Sequence, residues 1–178
     1  AEYHSRWVVQ QLRQHFDLTI FTTTAQDYIT WEEIYPPGED EIDGVKIRRF
    51  PVPEQRDLDE FNDYSAWIYN NPHRRVDEER WLRLQGPYCP EMIEAIREER
   101  NNFDGFLFFT YLYYTTVKGL EEVAHKSILL PTAHDEQAIR LEMFREVFES
   151  PKGYLMNTNE ERRFVYEMFG TESKPHAL

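Results

Sequence analysis

The chain has little cysteine, little glycine and a shortage of positive charge, and each shortage excludes something. Its one cysteine, Cys89, cannot close an internal disulfide, which fits a reducing compartment and a small side chain packed in the core. Its seven glycines form neither the GxGxxG nor the GxxxxGK[ST] pattern that cradles phosphates. Twenty Lys and Arg against 33 Asp and Glu leave a formal net charge of −13. With no cationic surplus to neutralise phosphates, nucleic acid and an anionic membrane surface are both poor partners. The longest apolar run, FLFFTYLYY at 106–114, is too short to span a bilayer. No secretory-type succession opens the chain, so a soluble cytoplasmic protein is expected. The six histidines lack zinc spacing, and no GxSxG elbow for a serine hydrolase occurs.

What is present is apolar patterning over 178 residues, enough for one compact domain. AEYHSRWVVQQL (1–12) spaces Tyr3, Trp7, Val8 and Leu12 as one face of a helix. LTIFTT (18–23) reads as a buried strand, followed by polar loop with Pro36, Pro37 and Gly38 as breakers. VKIRRFPV (45–52) reads as a strand near the sheet edge. Residues 54–88 read as a helical excursion containing DEFNDYSAWIYNN and DEERWLRLQGP, which buries its aromatics on the domain or serves as a flap over a ligand or membrane.

From residue 90 helices and strands alternate. PEMIEAIREERNN (90–102) is a helix, FDGFLFF (103–109) a strand, and a helix capped by Thr115 buries Val117, Leu120, Val123 and Ala124. KSILLPTAHDE (126–136) is a strand entering a polar mouth, and a helix over 137–149 buries Ile139, Met143, Val147 and either Phe144 or Phe148. A strand at 153–157 precedes a helix ending at Gly170, and TESKPHAL reads as a tail. Apolar strands alternating with amphipathic helices call for an α/β, doubly wound, mainly parallel sheet with helices on both faces.

Ligands of such sheets bind beyond the carboxyl ends of the strands. Three polar clusters fall there: Thr110 and Tyr111; Thr132, His134, Asp135 and Glu136; and Asn157, Thr158, Asn159 and Glu160. His134 is the most reactive group among them, able to move a proton near neutral pH or to hydrogen-bond a bound hydroxyl or phosphate. The plainer readings are a histidine bonded to nearby backbone, loop packing at Thr110 and Tyr111, and helix capping over 157–160.

Taken in order, three stretches resemble the N-terminal domain of a family 4 glycosyltransferase, an enzyme of two facing Rossmann-like domains of the GT-B type. AEYHSRWVVQQLRQHFDLTIFTT is similar to the stretch in which Gly-Gly-Ala-Glu opens the first helix and a second strand follows. TAHDE resembles a strand-end histidine followed by a polar residue, and YLMNTNEERRFVYEMFG resembles the Asn-Ser/Thr segment and helix that close the domain. The likeness covers 1–178 loosely, and least over 24–89.

The resemblance implies one Rossmann-like, acceptor-side domain whose first, central strand lies upstream of Ala1, so that the chain is a fragment truncated at both ends. LTIFTT is then expected to close against FLFF, or to find its pairing in another chain. The implied activity is transfer of a sugar from a nucleotide sugar to an acceptor, with retention, without metal or other cofactor. A C-terminal nucleotide-sugar-binding domain with a Glu-x7-Glu pair is the implied partner, and the fragment alone is expected to be inactive. A sheet broken at its centre favours self-association. On this reading His134 is the best catalytic candidate, although no catalytic set is complete here. Thr110, Tyr111, Thr132, Asp135, Glu136, Asn157 and Asn159 are candidates for acceptor or sugar binding. One departure is that FLFFTYLYY has no histidine where many members carry one near the transferred sugar. The alternatives are a non-catalytic binding or interaction module that uses 54–88 as its contact surface, and a transferase-like domain that has lost catalysis.

Overall fold

The computed structural model describes residues 2–178, with side chains from residue 3; the expected helix start at Ala1 lies outside them. The architecture is α/β and Rossmann-like, mainly parallel, with helices flanking the strands. Helix α1 (Glu2–Leu12) leads to β1 (Thr19–Thr23), then β2 (Gly38–Ile42) and β3 (Val45–Phe50). Helices α2 (Leu58–Asn70), α3 (Arg75–Gln85) and α4 (Pro90–Glu99) follow. The chain then alternates through β4 (Phe106–Phe109), α5 (Tyr114–Val123), β5 (Ser127–Leu130), α6 (Met143–Glu149), β6 (Gly153–Leu155), α7 (Asn159–Phe169) and β7 (His176–Ala177).

The strands form two sheets, ordered β1-β3-β2 and β4-β5-β6-β7. Every pairing is parallel except β2 with β3. The expected closure of LTIFTT against FLFF is therefore not made: β1 pairs with β3 and β4 with β5.

Side-chain alternation assigns the helices to faces. Phe108, Leu129 and Tyr154 share one face through their register. On it they meet Ile68 of α2, Trp81 of α3, Leu120 of α5, Phe144 and Phe148 of α6 and Phe169 of α7 in one apolar core. Gly119 lets α5 approach β4 closely, since a Cβ there would sit 2.5 Å from the Phe108 ring. Helix α4 packs Met92, Ile93 and Ile96 against Phe21, Phe50, Phe106 and Phe108, and so touches both sheets. On the opposite face the His4 ring of α1 meets Phe109 edge-on at 6.4 Å, and Arg13, just past α1, donates to the Asp43 carbonyl.

Several expectations change. Tyr3 and Trp7 do not point inward; they are 90% and 61% exposed, and Val8 is the buried residue of α1. The strand at 45–50 is central rather than near the edge, because GEDEI at 38–42, expected as loop, forms the exposed edge strand. Thr115, expected as the cap, lies inside the helix, which starts at Tyr114 with Tyr113 as N-cap. The expected helix over 137–149 divides into a 3-10 turn at Ala138–Arg140 and α6, and both Phe144 and Phe148 are buried. TESKPHAL is not a free tail, since His176 and Ala177 pair with β6. Over residues 58–85, Ile68, Trp81 and Leu82 lie in the core and Phe61, Tyr64 and Tyr69 pack against it, while Trp67 is 40% exposed. Cys89 is fully buried, and burial pushes its thiol up to about 12. Among the described residues no helix is long and apolar enough to cross a membrane.

Candidate functional site

The loops after β1, β3, β4, β5 and β6 gather at one rim. Trp31 after β1 meets Tyr113 after β4 edge-on at 5.4 Å. Arg56 after β3 lies between the Trp31 and Phe61 rings, 4.9 Å from each, and donates to the carbonyls of Tyr28 and Gln85. Burial lowers the Arg56 pKa. Glu33 ties the first two loops, accepting from Thr24 Oγ1 at 2.6 Å and from the Val52 amide at 2.8 Å, and these bonds hold its carboxyl below the usual range.

The centre of the rim is a pair of threonines in an unusual backbone state. Thr110 follows β4 directly with φ 65° and Thr132 follows β5 with φ 51°. A β-branched residue with positive φ is a genuine outlier, costing on the order of 1–3 kcal/mol that the surrounding structure must hold in place. Here the holding is visible: the Thr110 amide donates to Leu130 O at 2.8 Å and the Tyr111 amide to Pro131 O at 3.1 Å, continuing the β4–β5 ladder. The two hydroxyls come to 3.0 Å, and Thr132 Oγ1 also lies 2.7 Å from Pro131 O.

Beside this pair, Tyr111 is 1% exposed and donates its hydroxyl to Glu136. Burial, then the Glu136 carboxylate, drives its pKa upward, so it stays a neutral donor. Tyr111 thus lies beneath the rim, where its hydroxyl supports Glu136. The other Glu136 oxygen lies 3.7 Å from His134 Nε2, and the His134 side chain is 70% exposed. Asp135 turns away to Arg140 at 2.6 Å.

The third cluster is joined through a residue in the first turn of α7. Glu161, 7% exposed, accepts from the Ala133 amide at 2.7 Å and the Asn157 amide at 2.6 Å, clasping the loops after β5 and β6. Thr158 caps α7 by accepting from the Glu161 amide at 3.1 Å. The Thr-x-x-Glu spacing was legible as a capping box, but the glutamate side chain reaches the neighbouring strand end instead of the cap. Asn157 and Asn159 are exposed at the same margin.

The structure thus brings Thr110, Thr132, His134 and Glu136 together, with Asn157 held alongside, and it separates out Tyr111 as a support and Asp135 as an ion-pair partner. Chemically the rim offers two hydroxyls and an imidazole backed by a carboxylate, a set suited to hydrogen-bonding polyhydroxylated ligands. Two clefts lie elsewhere. One of about 250 Å³ is lined by Arg75, Leu120 and Met143, and one of about 410 Å³ by Trp67, His73 and Asp77. Among the described residues no cluster of three metal-ligating side chains occurs. No family model, curated protein or solved structure matches the chain.

Proposed function

We propose that this chain is the acceptor-side domain of a retaining glycosyltransferase that uses a nucleotide sugar, and that its carboxyl rim receives sugar hydroxyls. The observation that carries the reading is the strained Thr110–Thr132 pair, hydroxyls 3.0 Å apart, next to the exposed imidazole of His134. Strain held at two adjacent strand ends marks sites where a fixed geometry has a use. Thr132 Oγ1 is in donating distance of both Thr110 Oγ1 and Pro131 O and has one proton to share between them, so both hydroxyl oxygens keep lone pairs able to accept from a ligand hydroxyl. His134 supplies an imidazole able to donate or accept a hydrogen bond, with Glu136 Oε2 3.7 Å from its Nε2 and Tyr111 fixing Glu136 from below.

In this reading the donor nucleotide is held by a second domain, no metal or other cofactor is required, and this chain alone does not transfer sugar. The test is a transfer assay on the two-domain enzyme containing this chain. His134→Ala is expected to lower the rate about a hundredfold or more, and an unchanged rate removes His134 from the chemistry. Turnover of a nucleotide sugar by the chain alone contradicts the division of labour.

A second reading, a non-catalytic interaction module, is favoured by the exposed Tyr3 and Trp7 on α1. It predicts a partner footprint on α1 and no sugar response at the rim.

A further inference from the structure

His73 sits in the turn between α2 and α3 with an acceptor at each of its ring nitrogens. Nδ1 lies 2.9 Å from the Asn71 carbonyl oxygen and Nε2 lies 3.1 Å from Glu78 Oε1. A carbonyl has no proton to give, so Nδ1 must carry one. Nε2 then bonds Glu78 only if a second proton lies between the two groups. Glu78 also accepts the Glu142 amide at Oε1 and the Met143 amide at Oε2, both at 2.8 Å. Amide donors aimed at a carboxylate favour its charged form, so the second proton belongs to the imidazole. The arrangement calls for an imidazolium, tied on one side to its own turn and on the other to a carboxylate that holds the start of α6.

The charges around the ring agree. Helix α3 supplies Asp77 and Glu78, and both favour the charged ring. Arg74, a cation beside it, turns its guanidinium to Asp77 at 3.6 Å and to solvent, its side chain 82% exposed. Helix α6 faces the pair with backbone amides; Glu142 is exposed, and Glu146 is taken up by Arg75 at 2.8 Å. The last turn of α2, residues 67–70, carries no charged side chain. Glu78 is buried, but the His73 ring reaches solvent, so water can take its proton.

We propose that His73 is a pH-sensitive latch: as an imidazolium it closes the turn over residues 71–74 onto Glu78, and loss of its proton opens that turn. A neutral ring has one N–H. Whichever nitrogen keeps it, the other turns a lone pair on an acceptor, the Asn71 carbonyl in one tautomer and a buried carboxylate in the other. Swinging the ring out to water removes that repulsion. The turn's other bonds run back into their own helices: Asn70 and Asn71 side chains donate to the Ala66 and Trp67 carbonyls, and the Arg74 amide donates to Asp77. Ile68 and Trp81 keep both helices in the core, so the opening is confined to the turn. Because the ring's affinity for its proton is raised, the latch is fully closed below the ordinary histidine value and is lost as the pH rises through the raised one. The turn walls the open cleft of about 410 Å³ lined by Trp67, Pro72, His73, Arg74 and Asp77, which therefore widens as the pH rises. The inference does not depend on sugar transfer.

The test is an NMR pH titration of the ¹⁵N-labelled chain, following the His73 ring nitrogens together with the heteronuclear NOE of the backbone amides. Both ring nitrogens are expected to carry protons at neutral pH, and the ring to titrate above the ordinary histidine value. The NOE at His73 and Arg74 is expected to fall with that same midpoint, while those of Ile68 and Trp81 hold. In His73→Asn the step at Arg74 is expected to vanish. A ring with a single proton at neutral pH overturns the proposal. So does an NOE at His73 and Arg74 that stays level through the ring's titration, or a step at Arg74 that persists in His73→Asn. The ring and NOE results come from the native chain and decide the matter whether or not the variant folds.

Discussion

On the proposed reading, Thr132 and Thr110 are residues whose replacement should separate stability from ligand binding. Glycine adopts positive φ freely, so Thr132→Gly relieves backbone strain while losing about 0.5–1 kcal/mol to unfolded-chain entropy. Thermal unfolding is expected to show a Tm unchanged or raised by about 2–4 °C, while sugar binding at the rim falls; a fall in Tm instead places the worth of the threonine in packing. His73 carries a pH dependence. Its Nδ1 contact with the Asn71 carbonyl, then the nearby Glu78 carboxylate 3.1 Å from Nε2, raise its pKa above the ordinary 6.5. A raised histidine stabilises fully below its unfolded value and loses that contribution as the pH rises through the folded one. Urea midpoints are therefore expected to drop from pH 6 upward across that window in the native chain and to drop less in His73→Asn. Equal slopes contradict the assignment. Glu78 itself is 2% exposed and accepts the Glu142 and Met143 amides at 2.8 Å, so Glu78→Ala is expected to cost about 1–3 kcal/mol in chemical denaturation.

Among the elements, α1 and α3 differ most from what periodicity alone suggests. Helical spacing put Tyr3 and Trp7 inward, yet both are exposed, while Trp81 of α3 is 1% exposed and donates to Ser65 at 2.8 Å. Trp7→Gln should thus change stability by no more than about 0.5 kcal/mol, whereas Trp81→Ala should cost about 3–5 kcal/mol; similar losses for the two contradict the burial. The β2–β3 hairpin carries a legible signal at its turn. Its turn is Asp43-Gly44, both with positive φ, the pair that a tight hairpin demands. The acidic composition of GEDEI, without an apolar face, hid the strand beside it. The pairing of β7 had no local signal, because His176 and Ala177 are held by backbone bonds to β6 that no two-residue pattern announces. In contrast α4, α5 and α7 were plain: Pro90 opens one, Val117, Leu120 and Val123 line the next, and left-handed Gly170 closes the last.

At the scale of the whole molecule, alternation of apolar strands and helices was enough to give the parallel architecture, since each strand covered by helices must read as apolar. The division into two sheets was not readable that way, because pairing partners are chosen in space and β1 bonds to β3 across a hairpin. The candidate site was half legible for a similar reason. Strand-end position pointed to Thr110, Thr132 and His134, but the positive φ of the threonines and the clasp by Glu161 depend on packing. The central claim is that the strand-end rim is where this molecule meets a sugar. Its most direct test is a titration of the ¹⁵N-labelled chain with methyl glycosides, followed by amide chemical shifts. The account predicts saturable shifts grouped at Thr110, Thr132, Ala133, His134 and Asn157, lost in Thr132→Gly. Shifts confined to the α1 surface, or none at the rim with any glycoside, would contradict it.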